Sequence, residues 1–209
     1  MITRFIYPLW LREKLSYRFR NYLKAYLPAG NTCLTFAPDM QMQLSRADVG
    51  HQSILLNGFY ELALSRRITQ IARTNGGILV DVGANFGYYS ILWLAQQQQN
   101  QAIAFEAAPY NWEPLRTNIE RNNLLGRSTL VPKALSDQTG FVAFDPHQSG
   151  GQTGWGGIAL APSENTIRVP AKTLDQYWAE NHPGRTISVL KIDVEGADTL
   201  VLQGAEQLL

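Results

Sequence analysis

The chain has 209 residues, 45% of them hydrophobic and 17% charged, enough apolar material for one core and too much for a disordered chain. Its net charge is only +1, and its one cysteine, Cys33, has neither an internal disulfide partner nor metal-ligand spacing, so no oxidising compartment and no zinc site is expected. A membrane span is not expected either, because the longest uncharged stretch, Val82 to Phe105, is interrupted by Gly83, Asn85, Gly87 and the glutamines at 96 to 99.

The opening stretch "MITRFIYPLWLREK" has an apolar run from Phe5 to Leu11. Arg12, Glu13 and Lys14 then stand where a signal peptide would carry small residues, which points to a cytoplasmic protein. Residues 1–30 hold Arg4, Arg12, Lys14, Arg18, Arg20 and Lys24 against Glu13, a net of +5 that leaves -4 for the remainder. Seven of the 22 aromatics fall there too, and Leu11, Leu15, Phe19, Leu23 and Leu27 recur every fourth residue, as on one helix face. Residues 1–52 therefore read as a basic, aromatic, helical N-terminal extension. Its helix is expected to pack that stripe on the main domain; the alternative is a peripheral membrane contact through residues 1–30. No nucleic-acid partner is expected, since the rest of the chain carries no basic stripe.

A second unit is read over 53–209. "SILLNGFYELALSRRITQIART", residues 53–74, puts Leu62, Leu64, Ile68 and Ile71 on a helical face before Asn75, Gly76 and Gly77 end it. Ile78 to Val82 and Ala102 to Phe105 are short apolar runs of the buried parallel type, separated by a helix over Phe86 to Gln99 whose glutamines form a solvated end. A helix over 110–126 turns Trp112, Leu115 and Ile119 inward, and Thr129 to Leu135 is the next strand. Phe141 to Asp145 and Thr166 to Val169 flank a long loop, and Thr173 caps a short helix ending at Asn181. "ISVLKID" at 187–193 is another buried strand, and "GADTLVLQGAEQLL" is a last helix with Leu200, Ala205 and Leu208 on one face. The alternation predicts an α/β fold, a mostly parallel sheet with helices on both faces.

In "VDVGANFG", Gly83, Asn85 and Gly87 make a G-x-N-x-G turn from strand into helix. Glycine lets a ligand sit against bare backbone, and the free N–H groups of the first helical turn are expected to face it. The spacing is not the G-x-G-x-x-G of dinucleotide oxidoreductases, and no Lys-Ser/Thr of a phosphate loop follows. Glu106 ends the next strand 19 residues after Gly87, where a carboxylate can accept both hydroxyls of a ribose. Asp81 and Glu106, two acids around one crevice, suit a cofactor with a ribose and a positive charge, such as a sulfonium.

Four blocks in order, "VDVGANFGYYS", "FEAAPYNWEPLRTNIERNN", "KALSD" and "LKIDVEGAD", together resemble the signature of the FkbM-type S-adenosylmethionine-dependent methyltransferases across residues 77–206. The resemblance implies a Rossmann-like methyltransferase fold, S-adenosylmethionine as donor, and transfer to a hydroxyl oxygen of a sugar, glycan or polyketide-like acceptor. It also implies that Asp81, Gly83, Ala84, Asn85, Gly87 and Tyr88 line the methionine end, that Glu106 holds the ribose, and that Ala134, Leu135 and Ser136 border the adenine. Methyltransferases of this fold continue past the strand that "LKID" forms. The expectation is a fold lacking its C-terminal strands, as in a fragment of a longer frame.

Methyl transfer to oxygen requires alignment of the acceptor and removal of its proton. Asp193 closes a strand on the edge of the sheet where ligands of open α/β folds sit, so it is the expected base, with Glu195 as helper and Lys191 or His147 as weaker candidates. The glycine-rich loop "HQSGGQTGWGG" at 147–157 is the candidate lid, with Trp155 to stack on a sugar. No metal cluster is visible. Two rival readings are a non-catalytic S-adenosylmethionine-binding module and an NAD-dependent oxidoreductase; the glycine spacing speaks against the latter.

Overall fold

The computed structural model describes residues 2–27, 30–146, 154–159 and 163–209. Helix α1 (Leu9–Leu23) precedes a hairpin of β1 (Gly30–Leu34) and β2 (Ala37–Leu44), followed by α2 (Val49–Asn57) and α3 (Leu62–Thr74). Strands and helices then alternate: β3 (Ile78–Val82), α4 (Tyr88–Leu94), β4 (Gln101–Phe105), α5 (Trp112–Arg121) and β5 (Ser128–Val131). A second sheet collects β6 (Ala134–Leu135), β7 (Gly140–Asp145), β8 (Gly157–Ile158) and β9 (Ile167–Lys172) in the order β6-β9-β7-β8. Last in sequence come α6 (Leu174–Asn181), β10 (Val189–Ile192) and α7 (Asp198–Gln203).

The central sheet runs β10-β3-β4-β5, every pair parallel. The order doubles back between β3 and β10, the switch point at which a Rossmann-like sheet opens a crevice beyond its strand ends. Period-two alternation divides the strand residues between two cores. Leu79, Ala102 and Ala104 share one with the α3, α4 and α5 side chains Ile68, Trp93 and Leu115. Ile78, Val80, Val82, Ile103 and Phe105 share the other with Leu174, Trp178 and Val201 from α6 and α7. Burial on both faces is why these strands are continuous apolar runs. Trp93 is fully buried and its indole N–H donates to Gly77 O at 3.1 Å, which ties α4 to the start of β3. Strand β10 pairs with β3 alone among the described residues and is the outer strand on that side.

Several expectations need correction. The helix read over 53–74 is two helices, because Asn57-Gly58 is a turn: Gly58 adopts φ +80°, the left-handed region that favours glycine. The expected strand to Leu135 breaks at Pro132, so Ala134 and Leu135 belong to the second sheet. Helix α4 stops at Leu94, and Gln96 is not a solvated helix end: its amide donates to Leu92 O at 2.9 Å and to Phe36 O at 3.1 Å, holding the hairpin.

The expected stripe is buried only in part: Leu27, past the end of the helix, is 2% exposed and Leu23 packs partly buried against the core. Leu9, Arg12 and Ser16 are the buried residues of α1, whereas Phe19 is 49% exposed. Arg12 donates to Asn57 O at 2.9 Å and Arg4 to Ile54 O at 3.1 Å, placing two guanidinium groups on the C-terminal carbonyls of α2, where cations are favoured. The boundary expected at residue 52 falls inside α2, and one core cluster runs from Leu9 to Leu124.

Candidate functional site

Beyond the C-terminal ends of β3, β4 and β10 lies a cavity of about 670 Å3, within the range of small-molecule and cofactor sites. Its lining includes Gly83, Ala84, Asn85, Tyr88, Glu106, Ala134 and Leu135 from the expected cofactor set and both expected acceptor-side acids, Asp193 and Glu195. Asp81, Gly87 and Ser136 are not among the lining residues.

The sequence makes the turn after β3 possible only with glycine at position 83. Gly83 has φ +72°, and a Cβ there would run into the Asp193 carbonyl oxygen, with the carbonyl carbon at 3.1 Å and Val194 Cγ1 at 3.2 Å. The N–H groups of the turn itself are engaged, and in the first turn of α4 Ser90 N–H is taken by Asp81. Gly83 and Ala84 N–H both donate to Phe105 O, at 3.0 and 2.9 Å, Asn85 N–H donates to Glu106 Oε2 at 2.7 Å, and Gly87 N–H donates to Ala84 O at 2.8 Å. The turn is thus braced against β4. What it leaves unpaired is a side chain: Asn85, itself at φ +50°, has its buried Oδ1 without a hydrogen-bond partner among the described residues. A buried acceptor left open on a cavity wall fits a ligand that brings a donor, as the ammonium or ribose hydroxyls of S-adenosylmethionine would.

Asp81 works from behind this wall. Fully buried, its Oδ2 accepts from Ser90 N–H at 3.2 Å and Ser90 Oγ at 2.8 Å, capping the start of α4 from the neighbouring strand. Its Oδ1 lies 3.2 Å from Lys191 Nζ, an ion pair without hydrogen-bond alignment. Lys191 Nζ also donates to Gly83 O at 2.9 Å and Val82 O at 3.2 Å and approaches Asp193 Oδ2 to 3.7 Å. One buried ammonium therefore ties the ends of β3 and β10 together. Gly87 serves packing, since a Cβ at its φ of +90° would meet Leu115 Cδ1 at 2.8 Å. Ser136 is buried and donates to Asp137 Oδ1 at 2.9 Å. The ring of Tyr88 lines the cavity, while its hydroxyl accepts from Tyr60 N–H at 3.1 Å and shares a hydrogen bond with Ser65 Oγ at 2.9 Å.

Glu106 is buried, and three donors hold it: Asn85 N–H on Oε2, with Ala108 N–H at 2.8 Å and Asn111 Nδ2 at 3.3 Å on Oε1. Burial pushes its carboxyl above the usual range, and those donors with Lys191 pull it back. A carboxylate offers about four lone-pair sites, and the described donors occupy three of those on Glu106.

On the opposite wall Asp193 presents a side chain 57% exposed just past β10. Glu195 follows at φ +46°, and burial, then the negative charges of Asp193 and Asp198, raise its carboxyl. Sequence reasoning missed Tyr60 and Glu61, which line the cavity beside them. Burial and the surrounding carboxylates, Glu61 first, push Tyr60 up to about 12, so it meets the cavity as an O–H donor and not as a base. Glu61 accepts from Tyr89 OH at 2.5 Å. The signal that could have placed this pair beside the site was the Asn-Gly turn at 57–58, which breaks the helix just before them. Helix α1 adds Trp10, Tyr17 and Arg20 to the same wall. His147 and the loop through residue 153 lie outside the described residues; Trp155, 52% exposed, lines the cavity. Among the described residues no group of three His, Cys, Asp or Glu could hold a metal ion.

The chain is 23% identical to Methyltransferase 1 of Beauveria bassiana over 75% of this chain and 66% of that protein. It is 26% identical to Methyltransferase sdnD of Sordaria araneosa over 62% and 60%, respectively. It is 25% identical to 2-O-methyltransferase NoeI of Sinorhizobium fredii over 71% and 65%. The matches thus span just under two thirds of the length of these relatives. Residues 81–209, which supply the cavity lining apart from the part contributed by α1, α2 and the segment through Glu61, match the model of the methyltransferase FkbM domain. The chain belongs to the FkbM methyltransferase family, whose methyl donor is S-adenosylmethionine.

Proposed function

We propose that this chain is an S-adenosylmethionine-dependent O-methyltransferase acting on a hydroxyl of a sugar, glycan or polyketide-like acceptor, in the cytoplasm. The observation that carries the reading is one cavity with two chemically different walls. Asn85 Oδ1 and Glu106 stand at the ends of β3 and β4, and Asp193 and Glu195 stand after β10. When bound, S-adenosylmethionine supplies a methyl group already activated by a sulfonium. Asn85 and Glu106 would hold its polar ends, and Ala134 and Leu135 would flank the base. Asp193 would take the proton from the acceptor hydroxyl, readying its oxygen to receive the methyl group. Glu195, whose raised carboxyl makes it a better proton acceptor near neutral pH than an ordinary glutamate, assists, and Tyr60 donates to the acceptor. The relative named a 2-O-methyltransferase supports oxygen as the target.

The test is turnover with a panel of glycans and hydroxylated polyketides, comparing wild type with Asp193→Asn. Loss of a general base lowers kcat by roughly 10²- to 10⁴-fold, with cofactor affinity kept. Undiminished turnover by Asp193→Asn removes the base assignment. Cofactor binding by the wild type with no methyl transfer to any acceptor favours the rival reading, a binding module without catalysis.

A further inference from the structure

Helix α1 turns outward the residues that water solvates least well. Phe5 is 84% exposed, Trp10 56%, Tyr17 78%, Tyr22 74% and Tyr26 71%, so a row of aromatic rings projects along and beyond both ends of one helix. At about 100° per residue, Tyr17, Trp10, Lys14, Arg18 and Tyr22 take successive positions around a single outward arc. Cations and rings therefore share one face. Lys14, Arg18 and Lys24 are all exposed, whereas Arg4 and Arg12 are engaged inside the fold. No helix among the described residues is long and apolar enough to cross a membrane, so this face can lie on a bilayer but not enter it as a span.

We propose that α1 is a peripheral docking helix for an anionic lipid surface, with its rings at headgroup depth and Lys14, Arg18 and Lys24 against the lipid phosphates. Charge complementarity selects this occupant. The exposed Lys14, Arg18 and Lys24 face the bilayer while the net -4 of residues 31–209 is repelled from it, which favours one orientation as well as the attraction. A second copy of the chain fits badly, because a two-fold contact would bring the same cationic face, with Lys14, Arg18 and Lys24, against itself. An extended nucleic acid would reach past this helix onto residues whose net charge is negative, -4 over 31–209. Trp10 and Tyr17 also line the cavity, so its rim borders the docked face.

The experiment is co-sedimentation of the full chain with vesicles of mixed phosphatidylcholine and phosphatidylglycerol, and with neutral phosphatidylcholine vesicles. Two double variants outside the cavity lining are compared, Arg18→Glu with Lys24→Glu and Phe19→Ser with Tyr22→Ser, with thermal midpoints as the control for folding. Wild type is expected to pellet with the anionic vesicles, less so as salt rises, and not with the neutral ones. Charge reversal at two positions is expected to lower partitioning by on the order of tenfold or more. The ring-deleted pair, which keeps every charge, is expected to lose binding as well. The proposal is overturned by failure to pellet with anionic vesicles, by equal pelleting with neutral ones, or by unchanged pelleting of both variants. It is equally overturned if these substitutions abolish a concentration-dependent dimer or binding to a polyanionic RNA in place of vesicle binding.

Discussion

Gly83→Ala probes the point where fold and site are the same residue. Two costs meet there. An alanine held at φ +72° costs roughly 1–2 kcal/mol, and its methyl group runs into the backbone of Asp193, a clash that only separating the ends of β3 and β10 can relieve, at roughly 1–3 kcal/mol. The sum, roughly 2–5 kcal/mol, is a large part of the stability of an ordinary domain. Gly184 supplies the control, since it has nearly the same φ, +73°, with nothing within 4 Å of an added methyl group, so Gly184→Ala carries only the first cost. Urea denaturation of the two variants should therefore differ by the clash alone, with Gly83→Ala the less stable by roughly 1–3 kcal/mol. Because the movement would also displace Asp193 from Asn85, turnover by folded Gly83→Ala should fall on the order of a hundredfold. Equal stability of the two variants, with turnover intact, would refute the claim that the strand ends touch through bare backbone.

Two further outcomes follow from the same strand ends. Lys191→Met leaves Asp81 buried without its cation and two strand-end carbonyls without a donor, and should cost roughly 3–5 kcal/mol in denaturant unfolding. A loss below about 1 kcal/mol contradicts a structural ammonium there. The raised carboxyl of Glu195 binds its proton more tightly in the folded than in the unfolded chain, so its contribution to stability is lost as pH rises from the ordinary carboxylate value through the raised one. Glu195→Gln should remove that loss, and in a pH profile of kcat/KM it should move the acid limb to lower pH; an unmoved limb excludes Glu195 as a titrating group of the reaction.

Much of this was readable in the sequence because burial leaves a plain mark. β3 and β4 are packed on both faces, so each is an apolar run, β10 is partly covered, and Gly83 and Glu106 stand at strand ends where an open α/β sheet places ligands. Thr173 was legible as a cap, and its Oγ1 does accept from Gln176 N–H at 3.2 Å. The β1-β2 hairpin was not, because its strands alternate between buried and exposed positions with polar residues such as Asn31, Asp39 and Gln43 on the outer one. It is held instead by long-range bonds: Asn118, fully buried in α5, accepts from Gln43 N–H at 2.8 Å and donates to Phe86 O at 3.0 Å. Asp81 was read as a cofactor ligand because spacing alone cannot tell a carboxylate facing a ligand from one capping the next helix. Tyr60 and Glu61 belong to no motif; only the break at Gly58 brings them to the cavity.

Calorimetric titration tests the central claim most directly, with S-adenosylmethionine and NAD as ligands and Asn85→Ala as the variant. The two-walled cavity predicts saturable binding of S-adenosylmethionine, no binding of NAD, and an affinity at least several-fold weaker when the unpaired Asn85 oxygen is removed. Binding of NAD in preference to S-adenosylmethionine, or identical affinity for S-adenosylmethionine in Asn85→Ala, would contradict it.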